Sequence, residues 1–98
     1  MNSTRAAECK ARGDALAGQG ETELAIQAYH QALDLRNDYF EVHANLGNVL
    51  LDADRVDDAV AHYREAVSLR PDIAELHDNL GNALRLGGDS YAALVAHD

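Results

Sequence analysis

Residues 40–72 read FEVHANLGNVLLDADRVDDAVAHYREAVSLRPD. Val42, Leu46, Val49 and Leu50 recur at three- and four-residue spacing, which predicts a helix with one apolar face over about 39–52. Asp52-Ala53-Asp54 reads as a turn. A second helix is predicted over about 55–69, with Ala59, Val60, Tyr63, Ala66 and Val67 on its buried stripe. Pro71 cannot continue a helix and closes the unit.

The same pattern lies on both sides. Gly13, Gly47 and Gly81 stand 34 residues apart. A period of that size marks stacked repeats, each too small to bury its own apolar face. Upstream, a helix is predicted over 4–18, capped by Asn2, Ser3 or Thr4, then a Gly18-Gln19-Gly20 turn and a helix over 22–35. Downstream, a helix over 73–86 leads to a Gly87-Gly88 turn and a sixth helix from Ser90. Asp38 and Asp72 each stand three residues before a glutamate, Glu41 and Glu75, a spacing that predicts capping boxes. Asp54 and Asp89 are expected to cap the fourth and sixth helices. The chain stops at Asp98, inside that last helix, so either further chain or a second copy is expected to cover the end. No stretch alternates as a strand does.

The 98 residues allow one small domain, covering 1–98, with repeats at about 6–39, 40–73 and 74–98, the last incomplete. Net charge is −9, which disfavours nucleic acid and anionic membrane surfaces as partners. No apolar run has the length of a membrane span, and the first residues lack the apolar core of a secretion signal, so a cytoplasmic location is expected. Cys9 is the only cysteine, sits on an apolar face and reads as a small core residue.

Leu46-Gly47, Leu50, Ala59, Tyr63, Ala66 and Pro71 resemble the tetratricopeptide-repeat pattern. Gly13, Leu16, Ala25, Tyr29 and Ala32 repeat it, although Arg12 replaces a large apolar residue and Asn37 replaces proline. Leu80-Gly81, Leu84 and Ala93 repeat it again, with His97 at the aromatic position. The resemblance implies an all-α, right-handed superhelix of about two and a half helix-turn-helix units. It also implies a concave groove lined by the first helix of each unit. On that geometry the groove presents Lys10, Asn45, Asn48, Asn79, Asn82 and Arg85.

Asn45-Leu46-Gly47-Asn48 is matched by Asn79-Leu80-Gly81-Asn82, and each asparagine pair shares one helix face. A side-chain amide both donates and accepts, so a row of amides can bond the backbone of an extended peptide whatever its side chains. The row resembles the asparagine ladder of protein O-linked N-acetylglucosamine transferases. The other reading has the same amides bonding neighbouring helices or water. A carboxylate clamp of the kind some repeats carry is not expected. Lys10 and Asn45 match two of its positions, but Asp14, Glu75 and Asn79 replace the rest.

No catalytic constellation appears, and no cofactor or metal is expected. His43 and His77 occupy equivalent positions in successive units, too far apart for one tetrahedral ion. The leading expectation is a non-catalytic interaction module for a protein or peptide partner, with its acidic flanks favouring a basic one. The alternatives are self-assembly through helix 90–98, and a substrate-recruiting arm of a larger enzyme such as a glycosyltransferase.

Overall fold

The computed structural model describes the backbone of residues 2–96 and the side chains of residues 4–88. Five helices follow one another: α1 Asn2–Gly18, α2 Thr22–Leu35, α3 Phe40–Asp52, α4 Val56–Leu69 and α5 Ala74–Ala96. The described residues contain no strand. α1 packs on α2 and α3 on α4 as helical hairpins, α2 packs on α3, and α4 on α5. Stacking in sequence order makes an elongated body of 53 × 31 × 19 Å.

One continuous core runs through the stack, from Ala6 on α1 through Ala25, Tyr29 and Ala32 on α2 to Val42, Leu46 and Leu50 on α3. It continues into Ala59 and Tyr63 on α4 and Ala83 on α5. A second cluster of Ala44, Ala66 and Leu76 carries the packing between the second and third units. Cys9 packs against the core half-buried, not fully enclosed.

The two hairpins cross at their glycines. A Cβ built on Gly13 would lie 2.6 Å from the Tyr29 ring, and one on Gly47 would lie 2.6 Å from the Tyr63 ring. Those distances are far inside van der Waals contact, so only hydrogen fits there. The helices of both hairpins therefore approach closely at these positions.

The two hairpin turns are also alike. Gly20 (φ 77°) and Asp54 (φ 65°) adopt left-handed backbone at equivalent positions. The next residue in each case, Glu21 or Arg55, donates its N–H back to the carbonyl of Leu16 or Leu50. Gly20 and Asp54 donate to Ala17 and Leu51. This is the double closure that satisfies the last carbonyls of a helix. Glycine takes the conformation without steric cost, whereas Asp54 holds it against a penalty of about 1–2 kcal/mol.

Two local expectations are corrected. Asp54 is not a cap for α4: it occupies the left-handed turn, and Arg55 flanks the helix start. The capping box at Asp38 is absent as well. Tyr39 flanks α3 and no side chain bonds its free N–H groups. Asp38 instead accepts from Arg36 Nε at 3.2 Å, and Asp72 pairs with Arg70 at 2.9–3.0 Å. An arginine two residues upstream gives the carboxylate a cationic donor, a stronger partner than a neutral backbone N–H.

The largest correction is at the C-terminal end. Gly87-Gly88 does not turn; α5 runs through both glycines to Ala96. Glycine permits a turn and does not compel one. A helix passing through it loses about 1 kcal/mol of propensity relative to alanine. Turning needs a returning helix whose contacts offset the broken ladder. In the first two hairpins Tyr29 and Tyr63 supply those contacts at Gly13 and Gly47. The corresponding residue of the third unit is His97, which lies outside the described residues. No atom of the described residues comes within 4 Å of a Cβ built on Gly81. The expected docking role of helix 90–98 rests on side chains that also lie outside the described residues.

Candidate functional site

α1, α3 and α5 carry the six residues expected to line the groove. Gly13 and Gly47 turn inward to the tyrosines, which leaves the adjoining residues, Asp14 and Asn48, at the hydroxyl ends of those rings. Tyr29 Oη donates to Asp14 Oδ1 at 2.5 Å, and Tyr63 Oη donates to Asn48 Oδ1 at 2.5 Å. The two bonds are one device repeated, an aromatic ring fixed in the slot and its polar tip satisfied at the rim. Burial pushes the Tyr63 hydroxyl up to about 12, with Asp52 adding to the effect. Burial and then the Asp14 hydrogen bond push Tyr29 further in the same direction. Both hydroxyls therefore remain donors across the physiological range.

Asp14 is the hub of the first unit. Its Oδ2 accepts from Lys10 Nζ at 2.8 Å and its Oδ1 from Asn45 Nδ2 at 2.9 Å, besides the Tyr29 hydroxyl. The Asn45 bond spans two successive units and fixes α3 against α1. Burial raises the Asp14 carboxyl, but the hydrogen bonds from Lys10, Tyr29 and Asn45 outweigh it and hold the group below the ordinary 3.8. A carboxylate whose folded pKa is lowered adds stability above its unfolded pKa. That contribution is lost as pH falls through the folded pKa. Acid titration of unfolding midpoints should therefore fall more steeply below about pH 4 for the native chain than for Asp14→Asn. Equal slopes would remove Asp14 from this role. The group is partly open to solvent, so the difference is modest.

The predicted residues divide accordingly. Lys10 is engaged by Asp14, and Asn45 is half-buried with its amide nitrogen used, both within the molecule. Asn48 is exposed; its oxygen serves Tyr63, while its amide nitrogen makes no bond among the described residues. Asn79 is half-buried and has no hydrogen bond among the described residues. Asn82 is exposed and accepts from Arg85 Nη2 at 3.2 Å. The structure thus brings Lys10 and Asn45 together around Asp14, and Asn82 and Arg85 together one turn apart. Two open surface clefts lie along the α1–α2 edge, lined chiefly by Arg5, Glu8, Arg12, Gln27 and Gln31, none of them in this row.

Sequence reasoning placed Asp14 at a clamp position but missed its bond to the Tyr29 hydroxyl, the counterpart of the Asn48 bond to Tyr63, although the 34-residue spacing contains the match. It also missed the contact between His43 on α3 and His62 on α4. Their Nδ1 atoms lie 3.1 Å apart. Comparison of equivalent positions in successive units paired His43 with His77 and overlooked the partner within its own hairpin. His43 Nε2 is 3.0 Å from the Asn37 carbonyl oxygen, and His77 Nε2 stands 2.9 Å from that of Pro71. Burial, with His43 and His30 nearby, lowers the pKa of His62.

A family model described as "TPR repeat" matches residues 13–54 and again 47–87. The chain belongs to the tetratricopeptide-repeat family. Two crystal structures of MamA are similar to it, each at 25% identity and a TM-score of 0.82 over 85% of this chain. A MamA mutant is similar at 21% identity and a TM-score of 0.78 over 92% of it. This TPR chain spans about half the length of the first two, 48% and 45%. No curated protein sequence matches it. The family fits the geometry above: TPR hairpins stacked through one core, with the first helices of successive units supplying the polar row.

Proposed function

We propose that this TPR chain is a non-catalytic scaffold that holds an extended peptide, or one face of a partner helix, along the row made by α1, α3 and α5. The observation that carries the reading is the set of amide valences left over in that row. Asn48 keeps a free donor, Asn45 keeps its oxygen, and Asn79 is uncommitted among the described residues. Amides with spare donors and acceptors can match a peptide backbone without selecting its side chains. Selection would come from charge: Asp14, Glu41 and Asp78 flank the row on a chain of net charge −9, which favours a basic partner. A cytoplasmic setting fits the free Cys9 thiol.

A second reading, self-association, is favoured by α5. Leu84 is 44% exposed, whereas Leu50 at the equivalent place on α3 is 4% exposed beneath α4. Among the described residues no helix covers the α5 face around Gly81 and Leu84 as its counterparts are covered, and the C-terminal segment of a second copy would fill it.

One experiment separates the two. Asn45 and Asn48 also brace the fold, so the clean variant is Asn79→Ala with Asn82→Ala. Two lost amide contacts of about 0.5–1.5 kcal/mol each should weaken capture of an immobilised basic peptide about 5- to 150-fold. The sedimentation behaviour should stay unchanged. Undiminished peptide binding by the double variant would end the groove reading. A sedimentation shift with Leu84→Glu, peptide binding intact, would favour the second.

A further inference from the structure

We propose that His43 and His62, with His30 beside them, form a binding site for one zinc-like divalent transition-metal ion. The site lies on the seam of α2, α3 and α4, away from the amide row. Imidazole nitrogens suit zinc, nickel and copper.

The tautomers can be read from the hydrogen bonds. A carbonyl oxygen only accepts, so His43 Nε2 carries a proton and donates it to Asn37 O at 3.0 Å. Neutral His43 therefore presents a bare lone pair at Nδ1. His62 Nδ1 meets that lone pair at 3.1 Å and donates to it. The ring planes are 28° apart with centroids 5.4 Å apart, so the two nitrogens face each other across the gap. His43 is only 7% exposed, so its ring is held in place. An imidazole that donates one N–H to a backbone carbonyl and offers the other nitrogen is oriented as a metal-binding histidine is. Two nitrogens on one tetrahedral zinc, each about 2.0–2.1 Å from it, lie about 3.3 Å apart. The observed gap is within a few tenths of an ångström of that separation.

His30 supplies the third ring. It projects from α2, its centroid is 5.8 Å from that of His62, and it makes no hydrogen bond among the described residues. No group of three ligands is already gathered around one point among those residues. The site is thus a fixed ring, a half-buried ring and an exposed ring that turns in. Asp58 and Glu65, on α4 with His62, add negative potential for a cation. Binding exchanges the N–H···N bond for two nitrogen–metal bonds. His62 passes its Nδ1 proton through solvent to Nε2, both rings remain neutral, the half-buried His62 ring tilts until its lone pair converges with that of the fixed His43 ring, and the ion sheds waters.

The test is calorimetric titration of the whole chain with zinc chloride, with thermal unfolding followed in the same samples. One saturable zinc per chain and a raised midpoint are expected. His62 is half-exposed, so His62→Ala keeps the fold, and with a direct ligand gone it should lose saturable zinc binding together with the zinc-induced midpoint shift. His77 has the same carbonyl contact but no facing ring, so His77→Ala should bind as the native chain does. Should the native chain show no saturable binding, or His62→Ala bind zinc unchanged, the pair is a plain hydrogen bond and the proposal fails.

Discussion

Tyr63→Ala is expected to lower the free energy of unfolding by about 3–5 kcal/mol. Tyr63 is 1% exposed and fills the space between α3 and α4. The backbone at Gly47 comes so close that the ring is the wall of the crossing, and no neighbouring side chain can swing into the space it vacates. A chain of this size has roughly 5–15 kcal/mol in all, so one truncation removes a large part of it. Urea unfolding followed by far-UV circular dichroism gives the value. Tyr63→Phe separates ring from hydroxyl. It keeps the packing and loses only the bond to Asn48, about 1 kcal/mol, because Asn48 is exposed and water replaces the donor. A loss below about 1 kcal/mol in the alanine variant would mean that the hairpins are not held at their crossings.

That crossing was legible before any coordinates. Glycine at 34-residue intervals, with a tyrosine sixteen residues beyond each of the first two, is a covalent pattern, and it repeats because each unit solves the same packing problem. The span of α2 and, within a residue or two, those of α3 and α4 follow from the apolar stripes and their stops. What was not legible depends on partners that sequence spacing does not reveal. Asp38 and Asp72 carry the letters of a capping box, but a cationic arginine competes for each carboxylate. The Asn45 amide was visible as a groove residue. Its bond to Asp14 spans 31 residues and exists only once α3 is laid beside α1. The fate of Gly87-Gly88 turned on whether a returning helix finds contacts, a balance of tertiary terms that local propensity does not contain.

The glycines provide a comparison within one molecule. Gly47→Ala places a methyl group 2.6 Å from Tyr63 Cε1. The ring cannot retreat, since it is buried and its hydroxyl is tied to Asn48. Helix propensity favours alanine by about 1 kcal/mol. The clash opposes it with the cost of overpacking, typically about 1–3 kcal/mol. A rigid opposing ring and direct overlap set the upper part of that range, so steric overlap wins and a net loss of about 1–2 kcal/mol is expected. At Gly81 the same substitution meets nothing within 4 Å among the described residues. Only the propensity remains, and Gly81→Ala should raise stability by up to about 1 kcal/mol. Opposite signs at two positions 34 residues apart in one pattern would show that the glycine is required by the returning aromatic ring and not by its own helix. If Gly81→Ala instead destabilises the protein in a concentration-dependent way, a second chain occupies that slot in solution, and the bare face of α5 is an interface.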